Sequence, residues 1–207
     1  MRSLANIVFY FICIGVALYA ALAYGFFPLG SLVPPVMKAA FQAHPIGIYA
    51  HIFASIVALV FGPFQFSRRL RQKNIRLHRW SGRAYLLIGV LVGGVAGLYM
   101  AQFAFGGLTS RVGFTLLAVV WLYSGMMAYL AIRRHDVERH RTWMMRNFSL
   151  TLAAVTLRCY LGLFFAAGLS FEDFYPLLSW LCWVPNVLVT EWFINNAEHK
   201  ETSTRSI

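Results

Sequence analysis

Six apolar runs, each about as long as a bilayer-spanning helix, take up most of this 207-residue chain: Ile7–Phe27, Ile46–Phe66, Ala84–Ala104, Val112–Ile132, Phe148–Gly168 and Phe174–Ile194. A helix needs about 20 apolar residues to cross about 30 Å of hydrocarbon, and its backbone hydrogen bonds close within the segment. Such runs imply an all-α polytopic membrane protein with six transmembrane helices. With 59% hydrophobic and only 12% charged residues, the chain reads as one integral membrane domain over residues 1–207.

Most of the positive charge behind the net +11 lies in two loops. Residues 67–83 hold Arg68, Arg69, Arg71, Lys73, Arg76, Arg79 and Arg83, and residues 133–146 hold Arg133, Arg134, Arg139, Arg141 and Arg146. The other three loops carry Lys38, Arg111 and the acidic pair Glu172–Asp173. By the positive-inside rule, both basic loops and both termini are expected in the cytoplasm. Short loops with this bias fit a bacterial plasma membrane. The charge is thus a topology signal and an anionic-lipid contact, with no nucleic-acid partner expected.

Ala21-Leu22-Ala23 has the look of a signal-peptide cleavage site, but the preceding run is too long for a signal core and Arg2 is a weak leader, so a retained helix is expected. Cys13, Cys159 and Cys182 lie within the runs, are odd in number and form no CxxC pair. That argues against disulfides, zinc and covalently attached haem. The polar tail from Ala197 is expected to be disordered.

Polar residues are shared unevenly among the spans. A step near 3.6 residues picks out His51, Ser55, Ala58, Gly62, Gln65 and Arg69 on the second. On the third it gives His78, Gly82, Tyr85, Gly89, Gly93, Gly97 and Met100, and on the fourth Thr115, Ala118, Gly125 and Tyr129. The fifth shows His140, Met144, Asn147, Thr151, Ala154, Arg158 and Gly162. Spans one and six are apolar nearly all round, apart from Asn186 and Glu191 on the sixth. The pattern predicts a four-helix core of spans two to five, flanked by one and six. Gly89, Gly93 and Gly97 form a small-residue ridge, open to reading as close helix packing or as room for a planar cofactor.

A guanidinium at mid-membrane costs about 2.5–3.5 kcal/mol on insertion scales, so Arg158 has to face protein, water or a ligand. His51 lies inside span two, where it is either a hydrogen-bonded core residue or part of a quinone or proton site. Gln65, Tyr85, Thr151 and Arg158 are the residues expected to line such an intramembrane polar site with it. Glu191, the one acid within a run, is expected to pair with a cytoplasmic-side arginine such as Arg83 or Arg146.

His78 and His140 precede the apolar parts of spans three and five, which run in the same direction. If both helices extend into the interface, the imidazoles stand at similar depth. Facing histidines on core helices can supply both axial ligands of a b-type haem iron, with Arg79, Arg83 and Arg141 available for the propionates. The other reading is two interfacial histidines bonded to lipid or carbonyl groups.

Phe61-Gly62-Pro63-Phe64-Gln65-Phe66 with Leu77-His78-Arg79-Trp80-Ser81-Gly82-Arg83-Ala84-Tyr85 resembles a bacterial family of predicted integral membrane proteins of unknown function. So does His140-Arg141-Thr142-Trp143-Met144-Met145-Arg146, with Ala153-Ala154-Val155-Thr156-Leu157-Arg158 after it. In helix count, core and the His78/His140 pair, the chain is also similar to the six-helix, ascorbate-reducible b-type transmembrane cytochromes. Those carry four ligand histidines. The outer pair is incomplete here, so this likeness implies at most one haem, at the cytoplasmic side, exchanging electrons with a quinone or a partner subunit. The alternative is a non-enzymatic membrane protein: a small-anion or proton transporter, or an assembly subunit. No motif specifies a reaction; the sequence shows no nucleophile with a base, no phosphate loop and no carboxylate dyad.

Overall fold

The computed structural model describes residues 2–205, and among these every regular element is helical. α1 (Arg2–Gly25) makes the first crossing. α2 (Pro35–Ala43), begun by the Pro34-Pro35 pair, lies in the loop that follows. α3 (Pro45–Gln65) crosses back to the basic end. There α4 (Arg68–Lys73) is capped by Ser67, whose hydroxyl accepts from Leu70 N–H at 3.3 Å. The third crossing is composite: α5 (Ile75–Ala84), a π-helical stretch (Tyr85–Val92) and α6 (Gly93–Ala101). α7 (Gly107–Arg133) is the fourth. The fifth joins α8 (Val137–Thr151) to α9 (Ala153–Ala166), and the sixth joins α10 (Phe171–Leu181) to α11 (Val184–Arg205). Six helical segments are long and apolar enough to span a membrane.

Two crossings begin well before their apolar runs. The third starts at Ile75, not Ala84, and the fifth at Val137, not Phe148. Capping sets these ends. The Asn74 side chain accepts from Leu77 N–H at 2.9 Å, and Asp136 accepts from Arg139 N–H at 2.9 Å. Hydropathy reports what surrounds a helix, whereas the cap reports where its hydrogen bonds begin. At the far end, the backbone stays helical through Arg205, where an irregular tail was expected from Ala197. No Gly or Pro interrupts Ala197–Glu201, and alanine, glutamate and lysine favour helix.

Spans five and six are each broken once. Asn186 on α11 donates to the Ser149 carbonyl at 3.2 Å, claiming an acceptor that an unbroken helix would offer to Ala153 N–H. Thr151 Oγ1 bonds back to Asn147 O at 3.2 Å, which also favours a bend. In span six the break falls at Cys182–Trp183, just before Pro185 in the first turn of α11.

α3 packs along the π stretch and α6, α6 against α7, and α7 against α8, which returns to touch α3. This closes the four-helix core of spans two to five. α1 lies on α3 through Cys13, Ala17, Ala20 and Ala23, while α10 and α11 cover α7 and α8. The Gly89 ridge is a close approach: a Cβ there would meet Ala58 Cβ at 2.8 Å and its backbone at 3.0 Å. The face of α7 differs in part from the expected one. Ala118 and Gly125 are buried as expected, but Tyr129 points outward beside Arg133, and Ser110, Gly113, Trp121, Ser124 and Ala128 complete the buried face.

Candidate functional site

His78 and His140 occupy equivalent places. Each is the fourth residue of its helix, and its backbone N–H donates to the carbonyl of the residue capping that helix: Asn74 O at 3.1 Å and Asp136 O at 3.0 Å. His140, Arg71 and Arg79 all lie within electrostatic range of His78. His140 Nδ1 is 2.8 Å from Ala128 O. A carbonyl only accepts, so Nδ1 carries the proton and Nε2 is left with a lone pair when the ring is neutral. His78 Nδ1 is met by the Gln65 amide at 3.2 Å, and the other end of that amide is 2.8 Å from Ser81 Oγ. With the amide oxygen toward His78, Nδ1–H donates and Nε2 is free, as in His140. The other neighbours favour the nitrogen toward it, since that end of the amide also lies 3.3 Å from the His78 carbonyl and the other end 3.3 Å from Gly82 N–H; Nδ1 then accepts and the ring proton sits on Nε2. Arg79, Arg83 and Arg141 are exposed beside the pair, and the Arg83 guanidinium lies 5.5 Å from the Trp80 ring.

Above this pair, toward mid-membrane, is a dry polar network. Tyr85 and Asn147 are wholly buried, and the Tyr85 hydroxyl donates to Asn147 Oδ1 at 2.6 Å. It also lies 2.8 Å from Thr151 Oγ1, which accepts from Trp121 Nε1 at 3.0 Å. Asn147 Nδ2 donates to Trp121 O at 2.7 Å and to Ser124 Oγ at 2.9 Å. Every polar atom of the Asn147 side chain is thus paired across the π stretch, α7 and α8.

Beyond the network, in the half of the bundle away from the basic loops, α9 leans off the core and opens a chamber of about 660 Å³. Its walls come from α1, α3, α6, α7 and α9, with Trp121 and Thr151 on the inner side. His51 and Arg158 both line it, and His51 feels the charge of Arg158. His51 Nδ1 lies 2.8 Å from Gly93 O, so its proton is held there and Nε2 is left over. Gly97 makes room for that ring: a Cβ there would meet Nδ1 at 2.8 Å. One Arg158 nitrogen, Nη1, donates to Ala154 O at 2.8 Å, and the guanidinium lies 5.9 Å from the Tyr19 ring. Among the described residues, no carboxylate lines the chamber.

The residues expected to form one intramembrane polar site are therefore divided. His51, Thr151 and Arg158 share the chamber, Tyr85 stands behind Thr151, and Gln65 belongs to the histidine pair at the basic end. Glu191 pairs with Arg146 in a two-pronged ion pair of 2.6 and 2.9 Å. Trp121 and Ser124 are partners the polar stripes did not reveal; the small residues Ala118, Gly125 and Ala128 mark their face in the sequence. Among the described residues, no three or more His, Cys, Asp or Glu side chains converge as a metal site. A haem iron brings four porphyrin nitrogens and asks two axial ligands of the protein, so a search for three converging side chains does not test a pair of histidines.

Six apolar helices, four of which form a core with polar inward faces, define an integral membrane protein. The chain belongs to the family described as "Predicted membrane protein (DUF2306)", whose model matches residues 48–194, from the second span to the sixth. No curated protein and no solved structure matches it.

Proposed function

We propose that the protein is a small membrane redox protein that holds one b-type haem between His78 and His140 and exchanges electrons with a quinone or a partner subunit. What supports this most is the matched setting of the two imidazoles. They sit at the same step of two core helices, each with Nδ1 beside a polar anchor; Nε2 of His140 carries the lone pair iron needs, and Nε2 of His78 gains one when the Gln65 amide turns its oxygen toward Nδ1. Bound there, haem would supply a one-electron couple. His140 is held by Ala128 O and His78 by Gln65, while Arg79, Arg83 and Arg141 offer cations to the propionates. On the positive-inside rule we place this end, with both termini, in the cytoplasm of a bacterial plasma membrane. Substituting both ligands, His78→Ala with His140→Ala, abolishes haem retention on this reading. Haem content equal to wild type in the double variant refutes it.

The rival is a non-enzymatic protein, either a transporter of small anions or protons or an assembly subunit. It is favoured by Arg158, a cation in a membrane chamber lined by no acid. Loss of uptake by Arg158→Leu in proteoliposomes, with an unchanged absorption spectrum, would favour transport.

A further inference from the structure

We infer that the chamber binds the head of a lipid-tailed phosphate monoester, admitted sideways from the bilayer. The inference stands apart from the haem reading, since none of its residues contacts His78 or His140. Among the described residues Arg158 makes one hydrogen bond, to Ala154 O, and several N–H groups remain for a ligand. A guanidinium in low-dielectric surroundings calls for an anion, and the walls supply none. A neutral quinone head would leave that charge uncompensated. His51 narrows the choice. With its Nδ1 proton given to Gly93 O, its Nε2 accepts a hydrogen bond, which a carboxylate cannot donate. A phosphate monoester carrying one negative charge offers both groups: oxyanion oxygens for Arg158 and a P–OH for His51.

The surroundings say where the molecule comes from. The end of the chamber nearest the loops is lined by apolar side chains, among them Met37, Phe41, Phe103, Phe105 and Phe171. A free hydrated anion would have to shed its water against that lining. Between α1 and α9 the chamber is walled by side chains that are also exposed on the outside of the bundle. Tyr19 and Phe165, 52% and 53% exposed, line the chamber while also facing the bilayer, giving an apolar tail a route in.

The probe is hexadecyl phosphate, titrated against the full-length protein in mild detergent and compared with palmitate, hexadecanol and inorganic phosphate. Saturable one-to-one binding of hexadecyl phosphate is expected, with each comparison compound at least about tenfold weaker, the scale of one lost charge-assisted hydrogen bond. Arg158→Gln should weaken hexadecyl phosphate about tenfold or more, and Arg158→Lys by less. Because loss in Arg158→Gln alone could reflect misfolding, Ala154→Phe, which fills the chamber beside the guanidinium, is tested as well. Both variants are judged only if their thermal unfolding matches wild type. Equal binding of hexadecanol, or undiminished binding by Arg158→Gln, overturns the anion site. Palmitate binding as tightly overturns the phosphate class, and inorganic phosphate binding as tightly overturns the lipid-borne route. Haem content is measured on the same samples, so the two readings succeed or fail separately.

Discussion

Asn147 shows how a polar side chain at mid-membrane is tolerated: it binds Tyr85, Trp121 and Ser124 at once and meets no lipid. Hydrogen bonds between membrane helices average about 0.6 kcal/mol, and an orphaned buried group adds to the loss. Asn147→Ala should therefore destabilise the fold by about 2 kcal/mol, and Tyr85→Phe by about 1 kcal/mol, in reversible unfolding titrations. At the basic end, Gln65 should act through His78. Gln65→Ala is expected to lower haem affinity by about tenfold, the scale of losing a ligand's outer partner, and to leave hexadecyl phosphate binding unchanged. Polar residues in apolar runs were legible in the sequence because the bilayer makes each one costly; His51, Asn147, Thr151 and Arg158 were all singled out that way. Their partners were less so. Trp121 reads as an ordinary apolar residue until its N–H meets Thr151, and Gln65 shares a stripe with His51 although it lies almost four turns away, at the other end of α3.

Among the elements, the composite third span carries most of the close packing. Its glycines are not equivalent. At Gly89 an added methyl runs into the Ala58 backbone, whereas at Gly93 the nearest atoms are side-chain atoms of Ala54 and Trp121 at 3.3 Å. Gly89→Ala should cost about 1–3 kcal/mol by forcing α3 and the π stretch apart, and Gly93→Ala should lie close to neutral in the same unfolding assay. The glycine spacing was open to close packing or to a planar cofactor, and at Gly89 it is the Ala58 backbone that fills the space; the π-helical turn and the breaks at Leu152 and Cys182 did not follow from periodicity. The break at Leu152 depends on Asn186, a side chain 34 positions further along the chain, reaching the Ser149 carbonyl. Helix ends were readable only from caps, as at Asn74 and Asp136. The Arg146–Glu191 pair between α8 and α11 is partly exposed, with side chains 27% and 34% accessible. Glu191→Gln should thus cost no more than about 1 kcal/mol.

For the whole molecule, the two ends of the bundle have different tasks. The basic end gathers cationic loops and the paired histidines, while the opposite half holds the chamber with its apolar lining. On the proposed orientation, reporter fusions at either terminus should be active only in their cytoplasmic forms. Six spans and a core of spans two to five were evident from hydropathy and polar stripes. The separation of the polar residues into a histidine pair, a dry network and a chamber was not, because it arises where α9 departs from the line of α8. The account's central claim is the haem between His78 and His140. It is tested most directly by the dithionite-reduced minus air-oxidised absorption spectrum of the protein, purified in detergent after expression with haem precursor. Sharp reduced α and Soret bands at about one haem per chain are predicted; a folded, colourless protein would contradict the claim.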